Sequence, residues 1–409
     1  MELYLQIGHG MMGISQELTK RWGKGTAILS PRDLNRDQML RFAKTLASNG
    51  ATVVFDPQFY LPRADHERLT SHSYWPHDYE TATFDRDSVR ALLNGLLDDY
   101  IAPIGARIFI TPGRYASEID TLWMDISALI AREAIDLRAG VPVYQSVCIS
   151  DSVLRSEESV HTILEYLEPS PIDGVYLVAE PPQNMYLVDD PLWILNLLDL
   201  CAGLTLQGKQ VIVGYSNHQD LLLALCGVEA IASGTYLNVR RFPRGKFLAT
   251  ESDEISRRTT WYYCPQALSE YQIPFLDIAK RGRVLDQLRT DASFGSQYAA
   301  TLFDGAQPSS VEFGERHAFA HYLQCLSVQV AGISRGSYDE TRNALRLTYE
   351  TAAEMTEVLQ RNGVRGKIRD FGNVVDSTLA ALDQFDLMRG MVLRQCWNDI
   401  GPKNGDRAH

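Results

Sequence analysis

Two carboxylates stand at positions where an acid can do chemistry. Asp56, in "VVFDPQFYLPR", follows an apolar run and precedes a proline, and Glu180, in "VYLVAEPP", follows a similar run and precedes two. An acid carried at the end of a buried strand is partly desolvated, which raises its pKa and suits it to proton transfer, nucleophilic attack or reading the edge of a base. The competing role for Asp56 is to fix its own loop. Gln58 lies just past Asp56, and Gln145 with Ser146 ends the run "VPVYQS". Two polar loops follow further apolar runs: Tyr215-Ser216-Asn217-His218, and Ser233-Gly234-Thr235. Such loops either hold a phosphate or sugar through backbone N–H groups or cap the helices behind them. A basic run, Arg240, Arg241, Arg244 and Lys246, comes directly after and offers charge to a phosphate backbone or to solvent.

Metal chemistry has one opening. His317, His321 and Cys325 lie four residues apart in "ERHAFAHYLQC". On a helix the outer two are about 12 Å apart along the axis, too far to share one ion. Two of them with Cys264 could hold zinc, although a structural role for such a histidine pair is the simpler reading, and no metal or other cofactor is expected. The chain carries no phosphate-loop, dinucleotide or nucleophile-elbow fingerprint.

The elements that must position these residues alternate. Short apolar runs recur at 3–8, 26–30, 51–56, 107–111, 141–147, 174–180, 210–215 and 229–234, and amphipathic stretches such as "DQMLRFAKTLASNG" and "ESVHTILEYLE" lie between them. Continuous apolar runs mark strands covered on both faces, and eight of them fit a closed (β/α)8 barrel better than the alternative, an open doubly wound sheet. In such a barrel the strand ends converge, which gathers His9, Arg32, Asp33, Asp56, Gln58, Arg114, Gln145, Ser146 and Glu180 at one mouth. The barrel is expected over 1–245, with an aromatic-rich insertion at about 65–98 that could act as a lid, and a mostly helical extension over 246–409.

Composition sets the remaining bounds. The 409 residues are 45% hydrophobic and 22% charged, so the chain can bury a large core. A net charge of −12 argues against a general polyanion binder and leaves a local basic groove open. Six scattered cysteines without a close pair suit a reduced cytoplasmic protein. No leader segment and no apolar run near the ~18 residues of a membrane span is evident.

"PVYQSVCISDSVLRSEESVHTILEYLEPSPIDGVYLVAEPP" followed by "QVIVGYSNHQDLLLALCGVEAIASGTYLNVRR" resembles the order of segments in tRNA-guanine transglycosylases and their DNA-acting deazaguanine relatives, over roughly residues 45 to 245. In that family strands end in turn in Gln-Gly-Gly, Val-Gly-Glu, Gly-Val-Gly and the nucleophile. The resemblance implies that Asp56 stands for the Asp of the family's Asp-Ser-Gly-Gly-Phe-Gln motif and Glu180 for its base-recognising Glu. Gln145 would lie near the base-contacting Gln, and Tyr215 to His218 near the backbone that frames the base. Two departures matter: Ala232 and Ser233 occupy the nucleophile's place, and the family's Cys-x-Cys-x-x-Cys zinc cluster is missing.

Three functions follow as expectations. The first is a base-exchange enzyme on a purine or 7-deazapurine in tRNA or DNA, with Asp56 as nucleophile or proton acceptor, Glu180 and Gln145 on the base edge, and Arg240 and Arg241 on phosphate. The second is a barrel enzyme for a small phosphorylated or sugar-like substrate, its anion held at Ser233-Gly234-Thr235. The third is a catalytically silent barrel that binds a nucleobase or nucleotide and joins a protein partner, or a second copy, through the helical extension.

Overall fold

The structure, a computed structural model, describes residues 1–76, 84–138, 140–248 and 259–402. Eight parallel strands close on themselves: β1 Glu2–Gln6, β2 Thr26–Leu29, β3 Thr52–Phe55, β4 Phe109–Ile110, β5 Val143–Ile149, β6 Gly174–Ala179, β7 Gln210–Val213 and β8 Ala230–Ser233. Neighbours in sequence are neighbours in the sheet, β8 pairs with β1, and β4 pairs with β5. This is the TIM-barrel fold that the eight apolar runs predict; six strands fall within their runs, while β1 starts one residue before its run and β5 continues two residues past its own. A two-residue strand, Tyr115–Ala116, runs beside the upper end of β5.

Helices α1 Met12–Trp22, α2 Arg36–Ser48, α3 Arg86–Leu96, α4 Thr121–Leu137, α5 Glu157–Leu167 and α6 Pro191–Leu206 form the outer layer, and a 3-10 helix, His218–Cys226, stands in the seventh place. Their starts follow the chain's own chemistry. Asn35 and Gln38 make a reciprocal capping box on α2, and Asp120 caps α4. On α6 every residue from Trp193 to Thr205 is buried, because a helix from the C-terminal region covers its outer side.

That region begins with a hairpin, β9 Trp261–Cys264 and β10 Ser269–Gln272, and continues as helices α7 Ile273–Arg281, α8 Glu315–Ile333, α9 Tyr338–Arg361 and α10 Val375–Ile400. Helix α8 packs on β1 and α1 and so fills the eighth helix position, while α10 lies on α6. Tyr322, Leu345, Phe385 and Trp397 accordingly share one apolar core with the strands. No helix among the described residues is long and apolar enough to cross a membrane.

The stretch expected to insert at 65–98 contains α3, which packs against α4 as part of the helix ring. Its aromatic residues His72, Tyr74 and Trp75 are buried against Phe55, Phe59 and Tyr100 rather than presented to solvent. Residues 77–83 of that stretch lie outside the described residues.

Candidate functional site

Along β5 side chains alternate between the barrel interior and the helix layer. Tyr144 points inward and donates to Glu229 at 2.6 Å, where Tyr4 and Arg107 also meet that carboxylate and seal the barrel floor. Gln145, one residue on, must point outward, and its Nε2 donates to Tyr166 of α5 at 3.2 Å. The expectation that Gln145 reads a base edge is therefore corrected: the two-residue period puts it on the outer face.

The polar centre of the mouth is Asp56. It follows β3 directly and is fully buried. Tyr60 Oη donates to Oδ2 at 2.6 Å, the backbone N–H of Gln58 donates to Oδ1 at 2.9 Å, and Tyr176 Oη reaches Oδ2 at 3.3 Å. Burial pushes the carboxyl up to about 6, with the donors Tyr60, Gln58, Tyr176 and Tyr215 holding it from rising further. The phenols of Tyr60, Tyr176 and Tyr215 are raised well above their usual value by burial and by the adjacent Asp56 charge, so they remain donors. Tyr176 also meets Gln6 Oε1 at 3.1 Å, and Gln6 Nε2 has no hydrogen-bond partner among the described residues.

Two residues that flank this acid hold left-handed backbone angles, Gln58 with φ 51 and Tyr215 with φ 56. For side chains of this size that conformation costs about 1–2 kcal/mol, so the surroundings must impose it. Gln58 Nε2 donates to Tyr215 Oη at 3.0 Å, and its Oε1 accepts from the backbone of Arg32 at 3.1 Å and lies 3.0 Å from Ser30 Oγ. Above them Phe242 and Phe247 stack at 5.5 Å and meet Tyr60 edge-on at 5.2 and 5.1 Å. This aromatic roof keeps water from Asp56.

Glu180 stands at the rim, half-buried, where it accepts from Tyr115 Oη, and Arg244 lies over the Tyr115 ring at 4.5 Å. Asp56, Gln58, Tyr215 and Glu180 thus share the mouth. The other expected residues do different work.

Asn217 caps the 3-10 helix, and its Nδ2 donates to the carbonyls of Tyr186 and Arg240. His218 is fully buried against Tyr186, Tyr263 and Tyr322, and burial lowers its pKa to about 4, so it is neutral. Ser233 and Thr235 are buried, and a Cβ on Gly234 would sit 2.5 Å from the Gln6 carbonyl oxygen. That glycine answers to close packing, and its turn is sealed against an anion from solvent.

Arg240 requires the largest correction. Instead of facing phosphate it is 1% exposed, ion-paired to Glu270 at 3.1 Å, bonded to the Gly234 carbonyl at 2.9 Å and stacked 3.4 Å over Tyr322. Arg369 meets the same carboxylate at 2.8 Å. Burial opposes the Glu270 charge, yet Arg369 and Arg240 outweigh it and bring its pKa down to about 2. A run of four basic residues in a sequence does not reveal that the first turns inward. Arg241 remains partly exposed, its pKa lowered by burial and by Arg369.

Of the histidines open to zinc, His321 is otherwise engaged. His321 uses one ring nitrogen on Ser296 Oγ at 2.7 Å and the other on the Tyr263 carbonyl at 2.8 Å. Among the described residues no three of His, Cys, Asp and Glu gather as an ion would need. A groove of about 480 Å³ is lined by Glu17 and Arg21 of α1, His317 of α8, and Tyr298 and Glu312.

Tyr60, Tyr176 and Gln6 were not singled out in the sequence. The signal that finds Tyr176 is again the strand period: in "GVYLVA" it shares the inward face with Gly174 and Val178.

No known protein family and no curated protein matches the chain. Among solved structures, a crystal structure of a xylose isomerase domain protein from Planctomyces limnophilus matches with 12% identity and a TM-score of 0.31, over 52% of this chain and 72% of that one. A likeness at that level carries no chemistry to this barrel, whose fold rests on its own strand pairing.

Proposed function

We propose that the barrel mouth handles a planar nucleobase, with Asp56 as its reactive carboxylate. The observation that carries the reading is the state of that acid: fully buried, bonded to two phenols and a backbone N–H, and brought by burial to a pKa of about 6. A carboxyl poised there can take or give a proton at neutral pH. Tyr60, Tyr215, Phe242 and Phe247 supply rings on which a base can stack once the roof moves aside. Glu180 at the rim is an acceptor for the N–H edge of a purine or 7-deazapurine, as the likeness to the transglycosylases suggests.

In base exchange a carboxylate oxygen bonds to the sugar carbon as the glycosidic C–N bond breaks and the departing base takes a proton. The incoming base then returns a proton and displaces the carboxylate. Asp56 is the acid offered for the first bond. Mass spectrometry tests this on tRNA and DNA incubated with labelled guanine and deazapurine bases. Incorporation that disappears in Asp56→Asn, with the fold intact, supports the reading. Incorporation unchanged in that variant sinks it.

A second reading has its own support. Ala232 and Ser233 put no carboxylate at the end of β8, and Phe242 and Phe247 fill the mouth. A barrel that binds without turning over, as a subunit of an assembly, fits those two facts. Co-purification with one stable partner, together with no incorporation by folded protein, would favour it.

A further inference from the structure

The two most exposed large apolar side chains among the described residues stand one turn apart on α10: Leu387 at 80% and Met391 at 77%, with Met388 between them at 44%. Leu347 of α9, 67% exposed, follows Arg346, whose guanidinium binds Asp383 of α10, so all four flank one seam between the two helices. Both helices already have a buried side. Leu345, Tyr349 and Leu359 of α9 and Leu382, Phe385, Leu393 and Trp397 of α10 turn inward and are covered. A second apolar stripe, on the side of a helix that faces away from its own core, adds nothing to that core and marks a surface of contact.

The charges bordering the stripe say what covers it. Asp383 lies one turn before Leu387 and Arg394 one turn after Met391, and both lie towards α9, where Arg346 and Asp339 meet them. Each keeps one arm free. Arg342 and Arg346 both bind Asp383 through Oδ1, and among the described residues nothing bonds its Oδ2. Arg394 uses Nε on Asp339 and Nη2 on Asp386, and among the described residues nothing bonds its Nη1. A two-fold axis crossing α10 at Arg389 sets Leu387 on the Met391 of a second copy, and the same register brings Asp383 within one residue of that copy's Arg394, at both ends of the contact. Antiparallel helices join the same flank of each, which is the flank that both charges occupy. A lipid surface fits less well, because Glu350 and Glu354 are exposed on α9 beside Leu347.

We propose that this face of α9 and α10 is the interface of a two-fold homodimer, in which α10 packs antiparallel on its own copy. Leu387 and Met391 form the apolar centre, and the pairing of Asp383 with Arg394 fixes the register. The proposal goes beyond the reading of the mouth and stands whether or not Asp56 turns over a base.

Sedimentation of the full chain from about 1 μM to about 0.1 mM tests it, with twice the chain's mass expected. Changing Leu387→Gln and Met391→Gln together should weaken the association about a hundredfold or more, and because both side chains are exposed the circular dichroism of the folded chain should remain. Two charge variants read the register. Asp383→Lys and Arg394→Glu should each weaken self-association about tenfold or more, since each sets like charges together at both ends of the contact. Mixed in equal amounts, the two variants should associate at close to the parent's affinity: the new lysine meets the new glutamate at one end, and the native pair survives at the other. A loss of pairing within one chain cannot be repaired by mixing. A mass of one chain throughout the range overturns the proposal. So does a dimer that the double glutamine change leaves intact, or a mixture that associates no more than its two components. A monomer that instead binds anionic vesicles through Leu387 and Met391 would make the face a lipid contact and overturn it as well.

Discussion

Tyr60 Oη stands 2.6 Å from Asp56 Oδ2, and neither side chain meets water. A charged hydrogen bond of this kind stabilises the ionised acid by roughly 1.5–3 kcal/mol, yet burial outweighs it and the acid titrates near 6. The pH dependence follows in sign. A carboxyl whose folded pKa lies above its unfolded value of 3.8 contributes most stability below that value and loses it as pH rises through about 6. The loss for Asp56 is about 3 kcal/mol. Asp220, also brought up to about 6 by burial, titrates in the same window, so a comparison is needed. Urea unfolding of the parent and of Asp56→Asn from pH 4 to 7 should show the stability gap moving in the variant's favour by that amount. A gap that stays constant with pH would mean that Asp56 is not the buried acid described.

Tyr60→Phe removes the shorter phenol and leaves Tyr176 and the Gln58 N–H. The acid should then titrate above 6, because a donor to its charged form is gone. Following the Asp56 carboxyl by carbon-detected NMR in the parent and the variant measures this directly. A downward movement, or none, would show that the Tyr60 bond does not favour the ionised form.

Gly214 bears on the same acid from the opposite wall. A Cβ there would collide with the Tyr176 phenol, which bonds both Asp56 and Gln6. Gly214→Ala should cost roughly 1–3 kcal/mol through overpacking and should raise the Asp56 pKa as Tyr176 is displaced. Gly203→Ala is the useful contrast, since its Cβ meets Leu164 and should destabilise without touching the titration.

The barrel was legible because its strands are buried on both faces and read as eight apolar runs, and Asp56 because an acid ends one of them. Orientation was harder. Gln145 sits in a run where every residue is buried, so composition alone does not say which face it takes, and only Tyr144, fixed on Glu229, settles the alternation. Arg240 was hidden for another reason. Its partner Glu270 is 30 residues downstream, and Arg369, which shares that carboxylate, is 129 downstream, so nothing local announces the pairing.

Arg240 also supplies the clearest test of that long-range pairing. Removing one partner of a buried ion pair leaves the other charge uncompensated, at a cost of roughly 3–5 kcal/mol. Arg240→Ala should therefore destabilise the fold by that amount at neutral pH, whereas loss of an exposed phosphate contact would change stability little. The pH profile adds a second check. Glu270 is depressed to about 2, so its contribution is present above the unfolded value of 4.5 and is lost as pH falls through 2. Urea midpoints of the parent and Arg240→Ala should differ by a constant margin from pH 5 to 8 and converge on acidification. Because Arg369 still neutralises part of the charge, the double change Arg240→Ala with Glu270→Gln should recover some stability rather than add the two losses. Additive losses would show that Arg240 is held by Tyr322 and the Gly234 carbonyl instead of by Glu270.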